Sequence, residues 1–357
     1  MDNKLCFDLL SELPVINSAL RNIDEFNKTW LSLERIKQER ILKELKSLST
    51  IQSIGSSTRI EGSELSDEEV KNLIENLNIN QLTSRDTQEI AGYNEVLELI
   101  FENHKHILIS ESYIRQLHGL LLKYSDKDTR HKGCYKSLSN KVVAKYLGGS
   151  EKIIFNTTEP YLVETEIQTL LEWTNKNLSK KEIHPLIVIA AFVYEFLSIH
   201  PFQDGSGRLS RLLTSLLLLK KEYFFIRYIS FEYVIEARKK EYYQNLMECQ
   251  KNRYSKNENI ARWVIFFLDC VEDMIFRLQA KLNDAQINAH NNFDINARQK
   301  KIMALFNEDS ALSISDIWTK LNINRDTLKK DLAFLVRENC IERKGSGRGT
   351  WYEITKS

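Results

Sequence analysis

The chain has 357 residues, enough for two or three domains, and carries 50 Lys and Arg against 49 Asp and Glu. This balance argues against a surface built wholly for nucleic acid or anionic membranes. Hydrophobic residues make up 42%, which excludes global disorder, and the scarcity of Gly (12) and Pro (4) favours a mainly helical fold over a β-sandwich or barrel.

Five cysteines lie far apart in the chain, and none forms a CxxC pair. This scattered, odd-numbered set argues against a disulfide framework or a cysteine zinc site and for a reducing compartment. The N-terminus lacks the basic start and apolar stretch of a secretory signal, and the apolar run that includes residues 186–192 is too short to span a membrane. We therefore expect a soluble, cytoplasmic protein without membrane contact.

Helical spacing of apolar residues dominates the N-terminal part of the chain. It predicts a long helix over residues 20–50, and the Ser- and Gly-rich stretch that follows is expected to break it. Ser63 or Ser66 is a candidate cap for the next helix, through residues 68–77. The other helices predicted in this region cover residues 86–103 and 110–124.

Residues 130–160 change character, because glycines and β-branched residues replace the helical pattern. The runs VVAKYL and KIIF, joined by the turn GGS, predict a β-hairpin. Lys136, just before the hairpin, is interpreted as a solvated charge. After a further helix that begins at Pro160, residues 184–199 are apolar on nearly every side, which predicts a buried central helix.

The C-terminal segment predicts a separate small domain. Residues 283–296 are rich in Asn and lack strong periodicity, which predicts a linker. Three helical stretches and two strands around a Gly-rich turn then follow the order of a winged helix-turn-helix. Residues 294–357 hold 12 Lys and Arg against 9 Asp and Glu, a net charge of +3. This mild excess leaves DNA binding and protein binding both open.

The segment HPFQDGSGRLSR, residues 200–211, carries the strongest chemical signal. Gly205, Ser206 and Gly207 lie where a loop turns into a helix, and successive N–H groups at a helix start bind anions. Arg208 and Arg211 are three positions apart, so both lie on one face of that helix. Two guanidinium groups in this place suit a polyphosphate.

Three other side chains complete the segment. Asp204 would repel phosphate unless a Mg²⁺ ion lay between them. His200 is placed to take a proton from an incoming hydroxyl group, and Phe202 is expected to anchor the loop in the core. Phosphate-binding groups, a metal ligand and a base in one short segment predict transfer of part of a nucleotide to a hydroxyl.

This segment resembles the Fic motif, HPFx(D/E)GNGRxxR, with Ser206 where the family usually has Asn. The apolar helix before it, the hairpin and the LHGLL helix also resemble Fic proteins, over roughly residues 50–255. The resemblance implies a mainly α fold, with an all-helical Fic core and a short β-hairpin flap. With the C-terminal pattern, the predicted domains are an N-terminal helical region with the inhibitory motif (1–95), the catalytic core with following helices (96–285) and a winged helix domain (294–357).

The resemblance also implies an activity, the transfer of AMP from ATP to a Ser, Thr or Tyr hydroxyl of a target protein. His200 would be the general base, Asp204 would hold Mg²⁺, and the hairpin would bind the target as an added strand. Because Ser is shorter than Asn, the activity or the donor could differ from the family's. The nucleotide-binding residues expected are Phe202, Gly205, Ser206, Gly207, Arg208, Arg211 and Tyr243.

Residues 57–62 resemble the family's inhibitory motif, (S/T)xxxE(G/N), which here comprises Ser57, Glu61 and Gly62. In this arrangement Glu61 would pair with Arg211, neutralise it and repel the γ-phosphate, while Ser57 would help fix the inhibitory helix. In some relatives the same Glu also positions the water that removes AMP, so a reversing activity is open.

An alternative function is a DNA-binding transcriptional regulator whose Fic domain senses nucleotide without catalysis. The intact His200 and Asp204 favour the enzyme, because sensing requires neither a base nor a metal ligand. A homodimer is an expectation from the family. The histidines at positions 104, 106 and 118 lack acidic partners at metal-ligand spacing and are interpreted as structural.

Overall fold

The computed structural model describes residues 13–33, 39–78, 82–145, 151–180, 182–291, 296–306, 311–337, 340–345 and 347–354. The chain forms two compact units, Met1–Gln279 and Ala280–Ser357. The described part is mainly α-helical with two small antiparallel sheets, which confirms the predicted fold class. Within the described ranges, no helix is both long and apolar enough to cross a bilayer.

The first unit consists of helices around one short hairpin. The unit boundary lies within its last helix, α11. The helices are α1 (Pro14–Leu33), α2 (Glu39–Ile60), α3 (Asp67–Glu75), α4 (Arg85–Asn103), α5 (Glu111–Leu121), α6 (Val163–Lys180), α7 (Pro185–Ile199), α8 (Ser206–Lys220), α9 (Phe231–Ala237), α10 (Lys239–Gln250) and α11 (Ala261–Asn291).

Serine caps begin several of these helices, as the sequence predicts. The Ser66 side chain accepts a hydrogen bond from the Glu69 N–H, and Glu69 bonds back to the Ser66 N–H, so α3 has a complete capping box. Ser110 caps α5 in the predicted position. These local hydrogen bonds satisfy N–H groups that a helix start would otherwise leave without a partner.

The predicted break after residue 50 is wrong, because α2 continues through the Ser- and Gly-rich stretch to Ile60. Ser56, Ser57 and Thr58 are fully buried there. The Thr58 hydroxyl donates to the Ile54 carbonyl at 3.0 Å, so it is satisfied inside the helix. Small side chains here let the helix pack closely against the core, and burial outweighs their weak helix propensity.

The centre of the first unit is α7, which confirms the predicted buried helix. Its residues are almost all inaccessible to solvent, and α6 and α8 pack against it. A helix that is apolar on all sides is stable only inside a core. Because α7 ends at Ile199, its buried position fixes where the loop that starts at His200 begins.

The predicted hairpin is also confirmed. Strands β1 (Lys141–Lys145) and β2 (Glu151–Asn156) pair antiparallel, with Val142 opposite Phe155 and an irregularity between Val142 and Val143. The turn residues 146–150 lie outside the described part of the chain. Val142 and Phe155 are buried, so one face of the hairpin packs onto the helical core.

The second unit contains α12 (Ala297–Leu305), β3 (Ala311–Ser313), α13 (Ile314–Leu321), α14 (Arg325–Arg337), β4 (Ile341–Lys344) and β5 (Trp351–Ile354). The sheet order is β3-β5-β4, so it has a strand beyond the predicted pair. Sequence reasoning missed β3 because three residues carry no readable alternation. The hydrophobic core of the second unit includes Ile302, Leu312, Ile317, Leu328, Leu332 and Leu335.

The predicted linker over residues 283–296 is wrong for its first part, since α11 runs on to Asn291. The low helix propensity of Asn is only a weak guide and is overridden here. Residues 292–295 lie outside the described part of the chain.

Candidate active site

The loop between α7 and α8 reverses the chain within a few residues. His200 caps α7 in a left-handed conformation, with φ 50°, and Gly205 begins α8 with φ 81°. Glycine adopts this conformation without a steric penalty, whereas a histidine is held in it only by its surroundings. The reversal brings the imidazole of His200 to the N-terminus of α8.

His118 and Phe202 hold the middle of this loop. The two rings stack with their centroids 3.7 Å apart. Nδ1 of His118 accepts the Gly133 N–H at 3.0 Å, so Nε2 carries the proton and donates to the Asp204 carbonyl at 3.0 Å. Burial lowers the pKa of His118 to about 4, so the ring is neutral at pH 7. In the structure, His118 fixes the loop and Phe202 anchors it.

Ser206, the departure from the Fic motif, turns its side chain back onto the loop. Its hydroxyl oxygen accepts the Phe202 N–H at 3.0 Å, and its side chain is fully buried. The hydroxyl group therefore closes the turn. Ser206 is also one of the residues that line the cleft.

Lys136 is buried, and its interpretation as a solvated charge is wrong. It is 3% exposed. Its Nζ donates to Asn140 Oδ1 at 2.8 Å, Thr157 Oγ1 at 2.7 Å and the Ile199 carbonyl at 3.0 Å. Burial lowers the pKa of Lys136 to about 8. This burial could not be predicted locally, because the partners lie as far as 63 residues away in the chain.

His200 is neutral in this site. Burial lowers its pKa to about 4, the carboxylate of Glu61 opposes that shift, and the charge of Lys136 adds to it. An imidazole that is unprotonated at neutral pH can accept a proton.

Asp204 stays ionised beside two arginines. Its Oδ1 accepts the Gly205 N–H at 2.7 Å and lies 3.1 Å from Arg208 Nη2, and Oδ2 lies 3.3 Å from Arg85 Nη2. Burial raises the pKa of Asp204, but the two arginines and the N–H group more than offset it, so the pKa lies below its usual value.

Glu89 completes a ring of four charged groups with these residues. It lies 3.2 Å from Arg208 Nη1 and 2.7 Å from Arg85 Nε. Arg208 is 1% exposed and does not line the cleft, whereas Arg85 is half exposed and does. The structure therefore presents Arg85 to the cleft where the motif led us to expect Arg208. No motif marks Arg85, and its contact with Asp204 joins positions 119 apart.

Glu61 and Arg211 are in direct contact. Glu61 Oε1 lies 2.8 Å from Arg211 Nη2, and Arg211 also donates to the Ser57 hydroxyl at 2.8 Å and to the Ser57 carbonyl at 2.9 Å. A Cβ atom added to Gly207 would overlap Glu61 Oε1, so the carboxylate lies directly over the first turn of α8. Burial raises the pKa of Glu61, but Arg211 more than offsets this and holds it below its usual value.

One cleft brings most of these groups together. Of the predicted residues, those lining it are Glu61, His200, Asp204, Gly205, Ser206, Gly207, Arg211 and Tyr243, while Ser57, Gly62, Phe202 and Arg208 are not part of its lining. Tyr242, which the sequence offers beside Tyr243 as a candidate for the nucleoside, also lines the cleft. The lining residues that sequence reasoning missed are Ile60, Arg85, Lys141, Val142, Val143, Leu197, Gln203 and Leu246.

The cleft fits Mg²⁺ at a single carboxylate. Asp204 is ionised, partly exposed and beside the N-terminus of α8, and Mg²⁺ commonly takes one carboxylate and completes its shell with phosphate oxygens and water. Across the described residues, no three or more His, Cys, Asp or Glu side chains are grouped to hold a metal by themselves. Asp204 would therefore need the phosphates of a bound nucleotide to share the ion.

Comparison with known proteins agrees with this geometry. The sequence pattern of the Fic/DOC family matches residues 108–218. A Fido domain-containing protein of Dictyostelium discoideum is 30% identical over 110 residues, which cover 31% of this chain and 72% of that protein. The protein adenylyltransferase Fic of Drosophila willistoni is 30% identical over 106 residues, covering 30% of this chain and only 19% of that longer protein.

A solved structure extends the likeness to the whole chain. The Fic family protein from Desulfovibrio desulfuricans G20 matches 97% of both chains with a TM-score of 0.61 and 22% sequence identity. At this identity the match shows a shared fold. Together with the motif and the Dictyostelium relative, these comparisons show that the chain belongs to the Fic/DOC family.

Proposed function

We propose that this chain transfers AMP from ATP to a Ser, Thr or Tyr hydroxyl of a protein. The observation that carries the proposal is one cleft lined by a neutral imidazole, an ionised carboxylate and an anion-binding helix N-terminus, from His200, Asp204 and residues 205–207. The name of the Drosophila relatives, protein adenylyltransferase, supports the same reaction.

In the proposed step, His200 accepts the proton of the acceptor hydroxyl while its oxygen attacks the α-phosphorus of ATP. The bond from that phosphorus to the oxygen bridging to the β-phosphate breaks, and pyrophosphate leaves. Mg²⁺ held by Asp204 would supply positive charge to the α- and β-phosphates. The N–H groups at the start of α8 bind phosphate oxygens, and Arg85 and Lys141 add charge at the rim of the cleft.

The nucleoside is assigned to the aromatic end of the cleft. Tyr242 and Tyr243 are buried, with ring centroids 5.1 Å apart, and Leu246 lies beside them. An aromatic and aliphatic wall suits an adenine ring, which stacks well and is poorly solvated on its faces.

We further propose that Glu61 inhibits the enzyme. Its carboxylate lies over Gly207, where a phosphate would approach α8, and it neutralises Arg211. A phosphate in the same space would meet a like charge and an arginine that is already paired. Glu61 also acts on His200 electrostatically, so both lie near the same reacting group. A reversing activity, in which Glu61 orients water to remove AMP, belongs to this proposal.

The test uses ATP labelled with ³²P on the α-phosphate, with Mg²⁺, and measures labelling of the chain itself. Three forms are compared: wild type, Glu61→Gly, and Glu61→Gly combined with His200→Ala. Strong labelling in the single variant alone supports AMP transfer, the base and the inhibitor together. Labelling from γ-³²P ATP in place of α-³²P ATP would sink AMP transfer and indicate phosphoryl transfer.

A DNA-binding regulator is the second candidate, supported by the order of elements in the second unit. Its α14 carries exposed Arg325 and Lys329, but Lys329 lies 3.7 Å from Asp326, and Lys344 in β4 lies 2.9 Å from Glu342. Pairing with acidic neighbours weakens attraction to phosphates. Binding of the full chain to duplex DNA that falls steeply with salt would support this candidate.

A further inference from the structure

The carbonyl groups on either side of His200 are held by one small cluster. The Ile199 carbonyl accepts from Lys136 Nζ at 3.0 Å, and the Pro201 carbonyl accepts from the Lys136 backbone N–H at 2.9 Å. The Phe202 carbonyl accepts from Asn140 Nδ2 at 3.0 Å. Donors from one short segment therefore fix the chain immediately before and after the imidazole.

The side chains of the cluster also form hydrogen bonds with one another. Lys136 Nζ donates to Asn140 Oδ1 at 2.8 Å and to Thr157 Oγ1 at 2.7 Å, and the Thr157 hydroxyl bonds to Asn140. Lys136 is 3% exposed and Thr157 is 8% exposed. We call Lys136, Asn140 and Thr157 the loop clamp. Its hydrogen bonds are shielded from water, which makes their geometry well defined.

The loop clamp also closes the base of the hairpin. Asn140 immediately precedes β1, and Thr157 immediately follows β2. The Thr157 N–H points to the Asn140 carbonyl at 3.5 Å, and the Thr158 N–H donates to the Ser198 carbonyl at 3.3 Å, at the end of α7. The same residues therefore tie both ends of the hairpin to the chain around His200.

His200 needs such support. A histidine in the left-handed region is unfavourable on its own and persists where neighbouring contacts determine it. A buried lysine is likewise unfavourable unless each of its protons is used, and the Lys136 ammonium donates to three acceptors.

We propose that the loop clamp is a positioning device that sets the imidazole of His200 relative to the hairpin, so that a hydroxyl presented by the hairpin meets the base. The inference rests on the proposed function for its kinetic test. Lys136, Asn140 and Thr157 are positioning residues. They hold main-chain atoms on both sides of His200. The nucleotide is assigned to the residues that line the cleft, and none of these three is among them.

The first test measures AMP transfer in the Glu61→Gly background. Lys136→Met and Thr157→Val each remove clamp bonds at nearly constant size. We expect kcat to fall roughly 10- to 100-fold with Lys136→Met, and less with Thr157→Val, because small misplacements of a base are costly. The KM for ATP should stay within about twofold, since ground-state binding is untouched. Lys136→Arg, which keeps a charged donor, should recover part of the rate.

Lys220→Met is the matched control. Lys220 is also partly buried and donates to two carbonyls, those of His104 and Ile107, but it lies outside the cleft. Its substitution should leave kcat and KM unchanged at equal folded fraction. If Lys220→Met and Lys136→Met lower the rate equally, or if Lys136→Met leaves the rate unchanged, the proposal is overturned.

A second measurement does not depend on catalysis. It therefore distinguishes an error in the loop-clamp proposal from an error in the proposed function. Histidine side chains are labelled with ¹³C, and the His200 signal is assigned from its loss in His200→Ala. Thr157→Val changes no charge, so a shift of the His200 signal in this variant reports geometry. We expect the shift there and none in Lys220→Met. An unmoved His200 signal in both Thr157→Val and Lys136→Met would disprove the clamp even if no AMP transfer were observed.

Discussion

The two ends of the segment 200–211 differ in whether their side chains are paired with opposite charges. At the loop end, His200 is neutral, and the carbonyl groups of the residues before and after it accept hydrogen bonds from Lys136. At the helix end, Arg211 is paired with Glu61 and Arg208 with Glu89 and Asp204. The base is therefore assembled while the arginines are neutralised. Inhibition by Glu61, as proposed, would act through charge at the helix end and leave the imidazole intact.

The largest expected effect comes from removing the imidazole of His200 at the loop end. In the Glu61→Gly background, His200→Ala should lower the rate of AMP transfer roughly 10²- to 10⁴-fold, the usual contribution of a general base. ATP binding, measured by calorimetry, should change little, since His200 is assigned no role in binding. A comparable loss of ATP affinity would contradict the assignment of His200 to proton transfer alone.

The helix end is tested by Glu61→Gln, which keeps the size of the side chain but removes its charge. If charge is the means of inhibition, ATP affinity and transfer should rise roughly tenfold or more, approaching Glu61→Gly. A variant as inactive as the wild type would show that bulk over Gly207 is what inhibits. The measurement is incorporation of α-³²P label at several ATP concentrations.

Acid should destabilise the fold through its buried histidines. The pKa of His118 and that of His200 lie at about 4, below the usual value near 6.5, so between these values the unfolded chain binds protons that the native chain does not. Stability should therefore rise with pH across this window, by roughly 2 kcal/mol for each histidine between pH 5 and pH 7. Urea unfolding at the two pH values measures the change, and equal midpoints would refute it.

The smallest effect on ATP binding is expected from Arg85, at the exposed edge of the cleft. Arg85→Gln should weaken binding of ATP about three- to tenfold, because a half-exposed arginine contributes modestly. Arg85→Lys should restore part of the affinity. Calorimetry with ATP and with adenosine locates the effect, since only the phosphate-bearing ligand should respond. An equal loss for adenosine would show that Arg85 acts on the shape of the cleft.

The reacting groups could be predicted from the sequence because they are close together in it. Residues 200–211 carry a base, a carboxylate and a helix start in one segment, and local geometry alone brings these together. The contact of Glu61 with Arg211 was accessible only through the resemblance, since the pair is 150 positions apart. The assignments of these residues to catalysis and inhibition remain predictions.

Other features could not be foreseen, because tertiary contacts decide them. Lys136 reads as an ordinary surface lysine until the hairpin and α7 enclose it. Arg85 looks like one more charge at a helix start, and Arg208 like a phosphate ligand, until Glu89 is seen to bind both. The course of α2 through its Ser-rich turns likewise depends on burial that no local propensity contains.

One hydrogen bond of Arg211 ends on a main-chain atom, the Ser57 carbonyl. Every amino acid supplies that same oxygen, so point mutation at positions 57 and 61 can remove side-chain partners of Arg211 but never this one. Substitutions at these two positions therefore loosen Arg211 in steps and leave this main-chain bond in place. Release of Arg211 from Ser57 requires a displacement of the end of α2, which is a change of backbone rather than of one side chain.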